Sequence, residues 1–298
     1  MLHLLFNLIG SFIFIIIIWP LQSQISSLLS HISNPSLQIA IFHVIFNIVT
    51  TIILLPFVKQ LVELATLLVK EKGDNTHLLQ FIDDRLLSTP FIAMSQTKKE
   101  IYNMALLSKT NVMLTMDAIL NNTKINEEDI RKREEDIDNL NNLIAKYLIK
   151  LSSLVSSNSS NQIGSYFHVI NDIERIGDIA EDFLDIYNKM QQSNLSFSNE
   201  AIEELRSMYS IIDNMFDLSY STFIKKNKSN LSNLDKLEKQ SDDKKVELSA
   251  AHFERLSKSN CTIQLGAYYT SIIAYLERIA DHLTNIGYSI ANPTGDQK

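Results

Sequence analysis

The chain has 298 residues, enough for two domains, and a formal net charge of -7. Its Lys and Arg residues are not gathered on one segment, which excludes the concentrated basic face a nucleic-acid-binding protein needs. The single cysteine, Cys261, excludes an internal disulfide and a multi-cysteine zinc site, so any metal chemistry must rest on oxygen ligands or histidine.

No Asp, Glu, Lys or Arg occurs before Lys59. Met1 to Trp19 is an almost unbroken apolar run, and Ile39 to Val58 is a second. As helices each is about 28 to 30 Å long, enough to cross a bilayer. The first run lacks the basic start and small-residue cleavage site of a signal peptide. The segment between the runs, Leu21 to Gln38, has no Lys or Arg and is expected to be a loop, whereas Lys59, Lys70 and Lys72 follow the second run. The positive-inside bias then predicts a multi-pass inner-membrane protein with both ends in the cytoplasm and membrane lipid as a partner.

Both runs carry a short repeat, His3-Leu4-Leu5-Phe6-Asn7 and His43-Val44-Ile45-Phe46-Asn47. His and Asn are costly in hydrocarbon and tend to face protein or a water-filled cavity, and interhelical hydrogen bonding is the plainer reading of the same residues. Together with Thr50-Thr51-Ile52-Ile53-Leu54-Leu55-Pro56-Phe57, these motifs resemble the last two helices of the membrane domain of bacterial sodium/phosphate cotransporters. That resemblance implies phosphate as the transported species, sodium as the coupling ion, and His3, Phe6, Asn7, His43, Phe46 and Asn47 as transport-domain residues. The family's serine-rich Gln-Ser-Ser-Ser motif has only a poor counterpart in Gln22-Ser23-Gln24-Ile25-Ser26-Ser27, so the chain is expected to be the truncated tail of such a protein.

Residues 59–82 read as a linker helix broken at Gly73-Asp74-Asn75. Six helical segments follow with no alternating strand pattern: Ser95 to Asn121, Asn126 to Leu154, Asn161 to Gln192, Asn199 to Lys226, Leu231 to Ser259 and Thr262 to Ala291. The breaks between them are rich in Ser and Asn, which cap helices and form turns. The third segment has an apolar ladder of Val169, Ile173, Ile176, Ala180, Phe183 and Tyr187, and the sixth one of Ile272, Leu276, Ile279, Leu283, Ile286 and Ile290, both with the spacing of a helix packed in a bundle. The set Met104, Met113, Met116 and Met208 is expected in the core.

The six segments are a repeat of three. Glu100 and Met104 match Glu204 and Met208 at an offset of 104, Glu134 and Asp138 match Glu238 and Asp242 at the same offset, and Glu174 and Asp178 match Glu277 and Asp281 at 103. Residues 83–195 and 196–292 are therefore expected to form two three-helix bundles, with a tail at 293–298. Each second and third helix carries a Glu-x-x-x-Asp pair on one face, a like-charge spacing that is mildly repulsive unless a cation sits there. Antiparallel packing could join two such pairs into a group of four.

Two three-helix repeats ending in Glu277-Arg278-Ile279-Ala280-Asp281 and Glu174-Arg175-Ile176-Gly177-Asp178 resemble the PhoU-like family of phosphate-signalling regulators. The resemblance implies a cytoplasmic regulatory domain, a PhoU-like pair of bundles in an all-α protein, and clusters of iron or another oxygen-ligated metal at Glu134, Asp138, Glu174, Asp178, Glu238, Asp242, Glu277 and Asp281. Ile179-Ala180-Glu181-Asp182 stands where the second repeat has His282-Leu283-Thr284-Asn285, which is nearer the family pattern, so the first site is expected to differ in metal affinity or be lost. Surface ion pairs with Arg175, Arg278 and nearby lysines are the competing account.

No Glu-x-x-His, phosphate-cradling glycine loop or nucleophile elbow occurs, so no catalytic activity is expected. Two functions remain: a sodium-dependent phosphate transport protein regulated by its own PhoU-like domain, or a membrane-anchored PhoU-like regulator or scaffold that moves nothing itself. Other transport subunits or a second copy of the chain are the expected protein partners.

Overall fold

A computed structural model describes residues 2–29, 32, 34–61, 75–155, 157–258 and 262–291. The chain divides into two compact units at the boundary between Asp74 and Asn75. The predicted tail at 293–298 and the break at Gly73-Asp74 lie outside the described residues, as does most of the linker helix.

The first unit is a helix hairpin. Helix α1 spans Leu2–Ile18, α2 Gln22–Leu29 and α3 Pro35–Leu54, so the segment expected as a loop contains a short helix and the start of the next. Asn34 fixes that start: its side chain accepts from Ser36 N at 3.0 Å and Leu37 N at 3.4 Å, and Pro35 occupies the first helical position, where no N–H is missed. Helices α1 and α3 cross closely at Gly10, where a Cβ would stand 2.3 Å from Thr50 Cγ2. Phe14 packs edge-on against Phe42 and Phe46, with ring centroids 5.7 and 4.9 Å apart. Among the described residues the helical stretch Pro35–Leu61 is long and apolar enough to cross a membrane, whereas Asn7–Ile16 is a shorter apolar helix.

The second unit holds six long helices: α4 (Pro90–Asn121), α5 (Glu127–Ser152), α6 (Ser157–Gln192), α7 (Asn199–Lys225), α8 (Leu231–Ser257) and α9 (Ile263–Tyr288). Each corresponds to a predicted segment, with ends moved by a few residues. Local chemistry sets the ends. Asn126, Ser198 and Thr262 accept backbone N–H groups of the first turns of α5, α7 and α9. Asn122 and Lys226 take left-handed backbone at the ends of α4 and α7, with φ of 52° and 53°.

Helices α6 and α9 form the centre, each flanked by the other two helices of its own repeat, and α4 meets α7. The α4–α7 contact is antiparallel: Lys98 donates to the Ile224 carbonyl near one end, and Arg206 donates to Asn121 Oδ1 at 2.9 Å near the other. Between them Lys109 pairs with Asp213 and Asp217. Because Asp213 is the residue 104 positions after Lys109, the pseudo-twofold axis relating the repeats passes through this ion pair. Both predicted ladders are buried, Ile290 alone being partly exposed. Met104, Met116 and Met208 lie in the core; Met113 is surface-exposed.

A strap of 3-10 turns at Asn75–Leu78 and Asp84–Ser88 precedes α4 and is pinned by a buried carboxylate. Glu100, 0% exposed, accepts N–H donors from Gln80, Phe81 and Ile82 on one oxygen. Its repeat counterpart Glu204 has other partners: Arg255 donates through both terminal nitrogens, and Tyr269 donates its hydroxyl. The same position thus binds a backbone turn in one repeat and an arginine in the other.

Candidate metal centre

Helices α5 and α6 run antiparallel, with Arg131 reaching Glu181 and Asp185 at one end of their contact. That register sets Glu134 opposite Asp178 and Asp138 opposite Glu174, the convergence the spacing made possible. Carboxylate oxygens of Glu134, Asp138 and Asp178 lie within 4.8 Å of one another. Burial pushes the Glu134 carboxyl up to about 7, helped by Asp138, Glu181, Asp178 and Glu174 around it. Glu174 is raised for the same reasons, burial first and then Asp178, with Arg175 opposing.

The competing cations are only partly engaged. Arg175 stands 3.2 Å from Asp178 and 3.7 Å from Glu174, but its own side chain is 58% exposed. Arg131 is committed to Glu127, Glu181 and Asp185, none of them in the trio. One turn along α5 from Asp138, the side-chain oxygen of Asn141 is buried without a hydrogen-bond partner. Three converging carboxylates, one of them raised to about 7 by burial and then by its acidic neighbours, with no lysine paired to the trio among the described residues: this donor set fits a hard cation or iron.

The second repeat is assembled differently. Burial raises Asp281, and Glu277 and Asp242 raise it further, so three of the four predicted residues are again neighbours. Here Lys245 Nζ sits 2.8 Å from Glu277 Oε1 and neutralises it. Among the described residues no trio of converging ligand atoms forms at Glu238, Asp242, Glu277 and Asp281. Asn141 is the repeat counterpart of Lys245, and that exchange is the signal in the sequence that separates the two sites.

Two features escaped sequence reasoning. His282 Nδ1 lies 2.8 Å from Asp172 Oδ1, and Asn285 reaches the same oxygen at 3.5 Å, so α9 is tied to α6 beside the acidic groups. The repeat predicts the mirror contact, since Asp172 corresponds to Tyr275 and Asn285 to Asp182; Tyr275 indeed hydrogen-bonds Asp182. The second is the partition of Arg131 onto Glu181 and Asp185, which follows only from which helix faces which.

In the hairpin the two His-x-x-Phe-Asn motifs are not brought together. The register that faces Gly10 with Thr50 and Phe14 with Phe46 sets residues 43–47 against 13–17, leaving the two motifs at opposite ends of the hairpin. His43 stacks on Phe46, and Asn47 donates to the His43 carbonyl at 3.0 Å. Asn7 is half-buried, and the side chains of His3 and Phe6 lie outside the described residues.

The PhoU domain profile matches residues 101–186 and again residues 205–290, that is, both sets of three helices. The chain belongs to the PhoU domain family. A relative from Salmonella typhimurium, named "Putative inorganic phosphate export protein YjbB", is 22% identical over 96% of this chain and 53% of its own length. The protein of that name from Escherichia coli strain K12 matches to the same extent. The chain thus spans about half the length of these relatives. A phosphate-specific transport system accessory protein PhoU homolog from Clostridium acetobutylicum is 19% identical over 65% of this chain and 88% of its own length. Among solved structures, PhoU from Pseudomonas aeruginosa superposes with a TM-score of 0.61 at 16% identity, over 65% of this chain and 95% of that one. PhoU from Streptococcus pneumoniae gives 0.54 at 19% identity, over 72% and 96%. These likenesses place the six-helix architecture among PhoU folds.

Proposed function

We propose that this chain is a membrane-anchored PhoU-like regulator of phosphate movement, held in the inner membrane by its apolar helices and exposing the six-helix unit to the cytoplasm. The observation that carries this reading is the coincidence, along one chain, of two PhoU domain matches and a helical stretch, Pro35–Leu61, apolar enough to cross a membrane. It is supported by the relatives' names, which concern phosphate export and phosphate-specific transport. None of those names mentions sodium, and the separation of the two His-x-x-Phe-Asn motifs favours the regulator over a sodium-driven carrier built from this chain. Phosphate-transport subunits or a second copy are the partners such a regulator requires. The role is regulatory rather than catalytic.

Within that function Glu134, Asp138 and Asp178 hold a hard divalent cation or iron, with Glu174 beside them. The bound cation supplies charge neutralisation, and the three carboxylates orient it between α5 and α6. At Glu277 the Lys245 ammonium already supplies a positive charge, so the second repeat binds more weakly. The test is metal content and thermal melting of the purified full chain, with and without a chelator. Changing Glu134 and Asp178 to Ala removes the metal-dependent shift, while changing Glu277 and Asp281 leaves most of it; identical melts with and without iron, manganese, magnesium or calcium overturn the site. Phosphate flux in cells carrying the intact chain or the Glu134→Ala variant tests the regulatory reading separately.

A further inference from the structure

The two ends of the six-helix unit differ in charge. One end gathers the strap, the start of α4, and the last turns of α5 and α7. Tyr147 and Lys150 of α5 hold the strap through the Asp83 carbonyl and the Asp84 carboxylate, and Lys98 of α4 reaches the end of α7 at Ile224. On this end Phe91 is 85% exposed, Ile149 62% and Leu154 51%. At the same end the exposed Lys225, Lys226 and Lys228 form no ion pair among the described residues. The first turn of α4 carries no acid. The opposite end, about 40 Å away by the length of α7, has Glu127, Glu128 and Asp129 opening α5 and Glu200 opening α7. It too exposes a large aromatic, Phe253, at 74%. Lys124, Lys132 and Lys258 stand at this second end too, outnumbered there by Glu127, Glu128, Asp129, Glu200 and Glu254, so the balance of charge, not apolar exposure, separates the two ends.

We infer that the strap end rests on an anionic lipid surface, Phe91, Ile149 and Leu154 entering the headgroup layer and the three lysines pairing with lipid phosphates. Amphipathic aromatic and aliphatic tips flanked by lysine are the composition that binds such surfaces, through buried apolar area plus attraction to anionic headgroups. The occupant is the bilayer in which the chain is anchored, and to that extent the inference rests on the anchoring proposed above. The strap enters the unit at the lysine-bearing end.

The experiment uses the full chain in vesicles of phosphatidylglycerol and phosphatidylcholine, in a Trp19→Phe background so that one introduced tryptophan reports. With Phe91→Trp, brominated lipid is expected to quench emission; with Phe253→Trp it is not. Quenching at residue 91 is expected to fall in pure phosphatidylcholine, in high salt, and when Lys225, Lys226 and Lys228 are all changed to Gln. An unquenched Phe91→Trp, or equal quenching at both ends, overturns the inference. Carbonate extraction separates the two readings. A retained chain with unquenched Phe91→Trp sinks the docking surface alone; an extracted chain that is still quenched sinks the anchor and keeps the surface.

Discussion

At the scale of single residues, three carboxylates show how surroundings decide what a glutamate does. Glu134 sits among other acids, and its folded-state pKa of about 7 lies above the ordinary value of 4.5. The folded protein therefore holds this proton more tightly than the unfolded chain, and the resulting stability, present below pH 4.5, is lost as pH rises through about 7. In chelator, Glu134→Gln should melt higher than the parent above pH 7.5, with a flatter dependence of Tm on pH. Protons and metal compete for the same oxygen, so metal affinity should fall as pH drops below about 7, readable by calorimetric titration. Glu204 behaves oppositely. Although burial opposes it, the Arg255 pair and the Tyr269 hydroxyl hold its carboxyl below the usual range, so its contribution is present at neutral pH and lost on acidification through the lowered value. Removing Arg255 strands a carboxylate whose side chain is 18% exposed, and Arg255→Met should cost about 3 kcal/mol in denaturant unfolding. Glu100 is the third case. Glu100→Ala leaves three backbone donors without their acceptor, at a cost of at least about 2 kcal/mol, and hydrogen exchange should accelerate at Gln80, Phe81 and Ile82.

At the scale of helices, the two repeats solve one packing problem with different volumes. Where α5 crosses α6, Ile137 faces Gly177, and a Cβ on Gly177 would stand 3.3 Å from Ile137 Cδ1. At the equivalent crossing of α8 and α9 the residues are Ser241 and Ala280, both buried. A large residue meets none in the first repeat, and two small ones meet in the second. Gly177→Val should therefore destabilise by about 1 to 3 kcal/mol, and Ile137→Ala should offset much of that loss, a coupling that a double-mutant cycle measures. The crossing also carries the metal proposal. Glu134 and Asp178 flank this close approach on their helices, so a variant that spreads α5 from α6 should weaken metal binding without touching a ligand. The helix pattern was legible because burial of one face imposes a 3.6-residue period on the sequence. The 3-10 strap was not, being held by backbone donors and a distant Glu100 rather than by any period of its own.

At the scale of the whole molecule, the duplication makes one compact six-helix unit rather than two separate bundles, because α4 packs on α7 and α6 on α9. This chain alone, reconstituted in vesicles, should be retained after carbonate extraction yet carry no phosphate above background, since two apolar helices with their His-Asn motifs at opposite ends enclose no midplane site. Uptake of labelled phosphate by such vesicles would refute it. The all-helical class, the threefold segment pattern, the offset of the repeats and the Glu-x-x-x-Asp pairs could all be read from residues in order, because helix period and duplication are properties of the linear chain. Which carboxylates converge, that Lys245 occupies one acidic group while Asn141 leaves the other open, that His282 answers Asp172 across the repeats, and that the balance of charge differs between the two ends of the six-helix unit were decided only by tertiary structure. Each depends on the antiparallel register between helices far apart in sequence, and register is set by the fit of packed side chains, which no local spacing encodes.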